Sequence, residues 1–317
     1  MSRKLIIDTD PGVDDAMAIF MALASTELDV VGLTTIFGNA ATVDTTRNAR
    51  VLLDAAGRDD IPVAAGADAP LAAAYIGPVP WVHGTNGLGD APLNEPSCLP
   101  IAVPAHEFLY SMAAADPGAI TLLAVGPLTN LGLLLQQHPD VVDLFAEVVV
   151  MGGNALVPGN ATPVAEANIN NDPEAADLVF GAQWKVTMVG LDVTHRVNLS
   201  GAAIDRISAV DSPMAALLAA ALPVYRNFFE TRNHVDGIFV HDPSAVAYLL
   251  DPDAFETEQW PIRVETQSFS RGKTWPNMGD TDDAAPPAWR GRPAVNVCTG
   301  VDSSWVLRLL EDRLSRV

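Results

Sequence analysis

Lysine is nearly missing from this chain of 317 residues, which carries only Lys4, Lys185 and Lys273. Lysine and arginine together number 18 against 39 acids, a formal net charge of −21. A nucleic-acid duplex or an anionic membrane would be repelled, so neither is an expected partner. The only cysteines, Cys98 and Cys298, make no disulfide framework and fit a reducing compartment. No apolar run approaches the roughly 20 residues needed to span a bilayer. Met1-Ser2-Arg3-Lys4 leads straight into a strand, without the apolar stretch and small-residue cleavage site of a signal peptide. A soluble, cytoplasmic protein is expected. Repeats, low-complexity tracts and linkers are also missing, so residues 1–317 are read as one domain.

What the chain does have is alternation. Apolar, β-branched runs at Leu28–Phe37, Ile61–Ala65, Ala119–Val125, Glu147–Met151 and Lys185–Val189 read as strands. Helical stretches at about 43–56, 128–137 and 173–180 lie between them, and Ser212–Arg232 reads as one long helix. Strands without a polar face, separated by helices, predict an α/β fold: a doubly wound, mainly parallel sheet flanked by helices. Two stretches are irregular. Ala72–Pro104 has apolar anchors at Trp81, Val82 and Leu88, and Ser268–Pro293 includes Asp280, Asp282 and Asp283.

The densest chemistry lies at the N-terminus. Leu5-Ile6-Ile7-Asp8-Thr9-Asp10-Pro11-Gly12-Val13-Asp14-Asp15 reads as a buried strand, a Pro-Gly turn and the start of a helix. It gathers its acids at the carboxyl end of a strand, where open α/β sheets bind ligands. Carboxylates so close need a cation, a proton or fixed donors. Dipole-stabilised charge on a helix N-terminus accounts for one acid, but not for the set. With no Cys or His nearby, oxygen ligands favour Ca²⁺ or Mg²⁺.

Three further segments could contribute. In Val240-His241-Asp242-Pro243, proline opens a helix and leaves His241 and Asp242 in the entering loop. Asp242 is then either a helix cap or one more oxygen ligand, and His241 a titratable group. In Gly159–Pro173, Asn160, Glu166 and Asn168 could grip vicinal hydroxyls; Glu166 and Asn168, two apart, point the same way if extended. Asx turns would explain that loop as well. Asn39 follows one strand, and the carbonyl of Val125 follows another.

Together these segments resemble the nucleoside hydrolases, the inosine–uridine family of ribohydrolases. Asp8-Thr9-Asp10-Pro11-Gly12-Val13-Asp14-Asp15 looks like that family's signature. The likeness continues through Thr34–Asn39, Val125–Asn130, Met151-Gly152-Gly153, Gly159–Asn168, Asn171–Ala176 and His241-Asp242-Pro243. The resemblance implies a single doubly wound domain, assembled as a homodimer or homotetramer, that cleaves ribonucleosides to ribose and base. It implies Ca²⁺ held by Asp10, Asp15, Asp242 and the Val125 carbonyl, with the ribose 2′- and 3′-hydroxyls and a water. Asp10 would be the general base. Asp14 and Asn168 would bind the 2′- and 3′-hydroxyls, and Asn160 and Glu166 the 5′-hydroxyl. Asn39 would orient water or ribose, and Met151 would pack on the sugar. His241, taken to titrate near neutrality, would serve the leaving base and place the chain in the family's histidine-containing group. His83 and His234 would border the base, or be loop and solvent-facing histidines.

Two other readings remain at this stage. Asp8-Thr9-Asp10 also mimics the Asp-x-Asp of haloacid-dehalogenase-type phosphatases, which need a lysine to offset phosphate charge. A catalytically inactive calcium-dependent nucleoside- or sugar-binding protein would keep the metal and lose turnover.

Overall fold

The apolar run after Met1 forms the strand from which the site is built. In the computed structural model, which describes residues 2–279 and 285–316, eleven strands are found: β1 Arg3–Thr9, β2 Leu28–Thr35, β3 Val63–Ala65, β4 Ile120–Ala124, β5 Glu147–Met151, β6 Val186–Val189, β7 Asn198–Leu199, β8 Ile238–Phe239, β9 Phe255–Val264, β10 Thr274–Pro276 and β11 Ala294–Val301. Nine of them form one sheet in the order β10-β9-β11-β6-β5-β4-β1-β2-β3, and β7 and β8 pair separately. Pairing is parallel from β3 across to β11, and β9 runs antiparallel to both its neighbours. The expected doubly wound, mainly parallel α/β sheet is the observed fold. Asp280, Asp282 and Asp283 lie outside the described residues.

Strand order decides where a ligand can sit. From β1 the chain moves outward through β2 to β3, then returns to lay β4 on the other side of β1. The connections diverge there, and a crevice opens at the carboxyl ends of β1 and β4. Those ends are Thr9 and Ala124, so Asp10 and Val125 are the first residues into the crevice. The register is fixed by the Val125 N–H, which donates to the Asp8 carbonyl at 2.8 Å.

Each central strand is buried on both faces and feeds two cores by its period of two. Leu5, Ile7, Leu123, Val149 and Met151 face the helices Val13–Leu23, Pro213–Phe228 and His241–Leu250. Ile6, Leu122, Ala124, Val148 and Val150 face Ala105–Ala115, Thr129–Gln137 and Pro173–Gly181. The first of these helices, Val13–Leu23, is buried from Val13 to Ala22, including both of its acids. Carboxylates are thereby carried inside the protein.

The long helix differs from its sequence reading. It is α-helical only over Pro213–Phe228, and Phe229–Asn233 continues as a π turn. Similarly, Ala72–Pro104 includes one short helix, Pro80–His83. No helix among the described residues is long and apolar enough to cross a membrane.

Candidate active site

Each acid of the N-terminal turn has its own environment. The Asp8 side chain is fully buried and accepts hydrogen bonds from the Thr34 hydroxyl and, at 2.7 Å, from the Asn130 amide. Asn130 in turn donates to the Thr35 carbonyl and accepts from Ala67 N–H. Asp8 therefore ties β1 to β2 and to the helix after β4. Asp8→Ala leaves a hydroxyl and an amide unpaired, and should cost about 1–3 kcal/mol in chemical denaturation. Unchanged stability would remove this role.

Asp10 and Asp15 are linked by Asn39. The Asn39 backbone N–H donates to Asp10 Oδ2 at 2.7 Å, and its amide donates to the Asp10 carbonyl and, at 3.1 Å, to Asp15 Oδ2. Asp15 also accepts from Gly12 N–H at 2.9 Å and from the Thr9 hydroxyl. Glycine is required at positions 12 and 38 by close approach. A Cβ at Gly12 would lie 2.5 Å from His83 Nδ1, and one at Gly38 would lie 2.0 Å from Asp10 Oδ2. His83 braces the same turn, its Nδ1 accepting from Val13 N–H at 3.2 Å. That contact fixes the neutral tautomer with the proton on Nε2. Burial holds the His83 pKa down at about 3.

One oxygen each of Asp14, Asp15 and Asp242 lie within 4.8 Å of one another, as the ligands of a hard cation would. The closest triplet thus contains Asp14 rather than Asp10, unlike the set implied by resemblance. Asp10 is turned onto the Asn39 N–H, and its Oδ1 is buried without a hydrogen-bond partner among the described residues. Burial raises the pKa of all four acids, and at Asp10, Asp14 and Asp242 the neighbouring carboxylates add to it. Asp14 is brought to about 7, with the Tyr225 hydroxyl pulling the other way. Three mutually repelling acids and an orphaned carboxylate oxygen fit a divalent cation. The Val125 carbonyl is beside them, accepting the Asn168 amide at 2.8 Å.

Asp242 does not cap its helix. The helix starts at His241, earlier than proline at the first helical position implies, and Val240 is its N-cap. Glu166 keeps an extended backbone, but Asn168 is helical, so the two do not share one face of an extended segment. The Glu166 side chain caps the short helix Ala167–Asn171, its carboxylate accepting from the backbone N–H groups of Asn168, Ile169 and Gly153. Asn168 lies on that helix and its amide also reaches the Met151 carbonyl. Asn160 Oδ1 accepts from Ala167 N–H, which ties the loop to the same helix.

A cavity of about 500 Å³ opens above these residues. Asp14, Asn39, Val125, Met151, Asn160, Glu166, Asn168 and Asp242 contribute its polar end. Asp10 and Asp15 are buried and do not line it. His83, His195, His241, Tyr225, Phe228 and Phe229 contribute a ring-rich end. Lysine and arginine are absent from the described lining. Lys273 is buried against the carbonyls of Asn154 and Ala155, whereas Lys4 and Lys185 pair with Asp116 and Glu147 at the amino ends of the strands. Among the described residues no lysine or arginine lines the cavity to meet a phosphate, so the phosphatase reading loses its required lysine.

His241 packs against the rings of Phe229, Phe239 and His195, and its Nδ1 meets the Thr194 hydroxyl at 2.8 Å. Burial, reinforced by His195 and His83, takes its pKa down to about 3. The near-neutral value expected from its type is not met; the ring is neutral. His234 is a second correction. It is exposed, with a left-handed backbone (φ 56°), and lies outside the cavity wall, which Asn233 joins instead. Sequence reasoning missed Tyr225, although Tyr225, Phe228 and Phe229 share one helical face. Thr194 and His195 carried no signal.

Residues 5–308 match the family described as inosine-uridine preferring nucleoside hydrolase. A probable uridine nucleosidase of Arabidopsis thaliana is 41% identical over 315 residues, covering 98% of this chain and 97% of that protein. An inosine-uridine preferring nucleoside hydrolase of Leishmania major is 37% identical over 319 residues, covering 100% and 99%. Among solved structures, a plant nucleoside hydrolase superimposes with a TM-score of 0.96 at 38% identity over 99% of both chains.

Proposed function

The chain belongs to the inosine-uridine preferring nucleoside hydrolase family and is a ribonucleoside hydrolase; from that premise we propose a calcium-dependent cleavage in which Asp10 activates water and His241 serves the leaving base. The observation that carries this reading is the buried carboxylate group beneath a cavity whose described lining lacks lysine and arginine. Departure of a base leaves positive charge on the ribose, as in glycoside hydrolysis generally, and carboxylates stabilise it.

Asp10, Asp15, Asp242 and the Val125 carbonyl would hold the ion. When bound, Ca²⁺ would supply a field that lowers the pKa of water and anchors vicinal hydroxyls. Asp10 takes the proton of the attacking water; its unpaired Oδ1 is the oxygen left free for it. Asn39 keeps that carboxylate aimed. Asp14 and Asn168 take the 2′- and 3′-hydroxyls, Asn160 and Glu166 the 5′-hydroxyl, and Met151 packs under the sugar. Because three backbone N–H groups already hold Glu166, it offers a rigid acceptor. His83 closes the ring-rich end.

His241 acts as a neutral imidazole. In this reading the Thr194 hydroxyl donates to Nδ1, which leaves Nε2–H to hydrogen-bond the departing base and spread its negative charge while the base takes its proton from water. His241→Ala should therefore lower kcat on uridine by about 10²-fold or more. The loss on an activated aryl riboside, whose leaving group needs no proton, should be much smaller. Equal losses on both would take His241 out of this role.

The catalytic unit is proposed to be the whole chain, 1–317, assembled as a homodimer or homotetramer in the cytoplasm, with nucleic acid and membranes excluded as partners by its charge. The test of function is ribose release from uridine, inosine and cytidine, run beside an aryl phosphate. Turnover of the ribonucleosides alone is expected. Turnover of the phosphate alone would revive the phosphatase, and binding without turnover the inactive binding protein.

A further inference from the structure

His195 lines the cavity beside His241, and the roles above leave it unused. Its ring is held from two sides, 5.0 Å from the Phe239 ring and 5.5 Å, edge-on, from His241. It follows the short helix Leu191–Thr194, whose Thr194 engages His241. The two other histidines of this wall are already engaged, His83 by Val13 N–H and His241 by Thr194. The His195 imidazole makes no hydrogen bond among the described residues, although the side chain is partly buried. A partly buried imidazole with both nitrogens free, fixed in place by packing, is a preformed donor and acceptor awaiting a ligand.

We propose that His195 is a specificity-determining residue that reads the polar edge of the leaving base remote from the glycosidic bond. This inference rests on the ribonucleoside-hydrolase reading. The two imidazole nitrogens point apart, so one of them faces the base, where it can donate to a carbonyl or accept from a ring N–H of an oxo-pyrimidine or an oxo-purine. His241 stands at the scissile bond, and His195 one ring further along the same wall. An apolar ring would pack in this place equally well and would discriminate nothing.

The test is His195→Phe, which keeps the ring packing and removes both polar nitrogens. On uridine and inosine, kcat/KM should fall roughly tenfold or more, the loss of one hydrogen bond. On a chlorophenyl riboside, whose leaving group has no hydrogen-bonding edge, the loss should be several-fold smaller. His195→Gln, which restores a donor and an acceptor, should recover part of the loss on uridine. Equal losses on all three substrates would make His195 a packing residue, and no loss on uridine would also overturn the proposal. Wild-type protein that releases no ribose from uridine or inosine would instead bring down the parent reading, a result distinguishable because it precedes any substitution.

Discussion

Asp10→Ala eliminates turnover: kcat on uridine falls by about 10³-fold or more, the combined loss of a general base and a metal ligand. The expectation follows from position. Asp10 is the first residue beyond β1 at the point where the strand order reverses, and its Oδ1 has no hydrogen-bond partner among the described residues. Such an oxygen is costly to bury and is retained where something else uses it. Asp10→Asn sharpens the test. It keeps the shape and the contact with Asn39 but cannot accept a proton, so activity should be lost while the fold persists. Burial and the neighbouring acids already oppose ionisation of Asp10, so metal-free Asp10→Asn should melt at the same temperature as wild type or higher. Full activity in either variant would end the proposed role. A collapsed fold in Asp10→Asn would show that the residue is structural.

Chelation should cost both activity and stability, and the second effect should grow with pH. Burial raises the folded-state pKa of Asp14 to about 7, and those of Asp10, Asp15 and Asp242 also lie above their ordinary value. The unfolded chain releases these protons near pH 4. Groups with raised folded pKa values contribute stability that is complete below that pH and is lost as pH rises through 7. The metal-free protein should therefore weaken from pH 5 to pH 8, by on the order of a few kcal/mol. Ca²⁺ competes with these protons and removes the repulsion, so the Tm difference between calcium-loaded and chelated protein should widen over the same interval. A gap that narrows with rising pH would contradict a cation held by these carboxylates.

The acidic turn was legible because its signal is local. A buried strand, Pro-Gly and a helix start put Asp8, Asp10, Asp14 and Asp15 at a strand end whatever the rest of the chain does. Strands β1 to β6 were legible for the same reason, since strands buried on both faces announce themselves as apolar runs; β9, with four consecutive exposed residues, and its neighbours β10 and β11 were not, and β10 lies in the stretch Ser268–Pro293 that reads as irregular. What escaped was set by packing between distant segments. Nothing near Leu191–Thr194 indicates that Thr194 and His195 meet His241, because the contact is made only when the end of one helix meets the start of another. The pKa of His241 was misjudged on residue type alone; the rings that desolvate it come from Phe229 and Phe239.

His234 takes the solvent-facing of its two readings, for a backbone reason. The helix read over Ser212–Arg232 widens into a π turn at Phe229, and His234 follows it with a left-handed backbone. That change of period moves Asn233 onto the cavity wall and leaves His234 facing solvent. At Glu166 the period-two rule was overridden by the side chain itself. By accepting from the Asn168 and Ile169 N–H groups it starts a helix, a third arrangement beside the extended segment and the Asx turns that the sequence allows.

The most direct test is a calcium titration of chelated protein, following ribose release from uridine. Activity absent after chelation and restored in step with about one Ca²⁺ per active site is the predicted result. Undiminished ribose release from protein shown to be free of divalent metal would contradict the account.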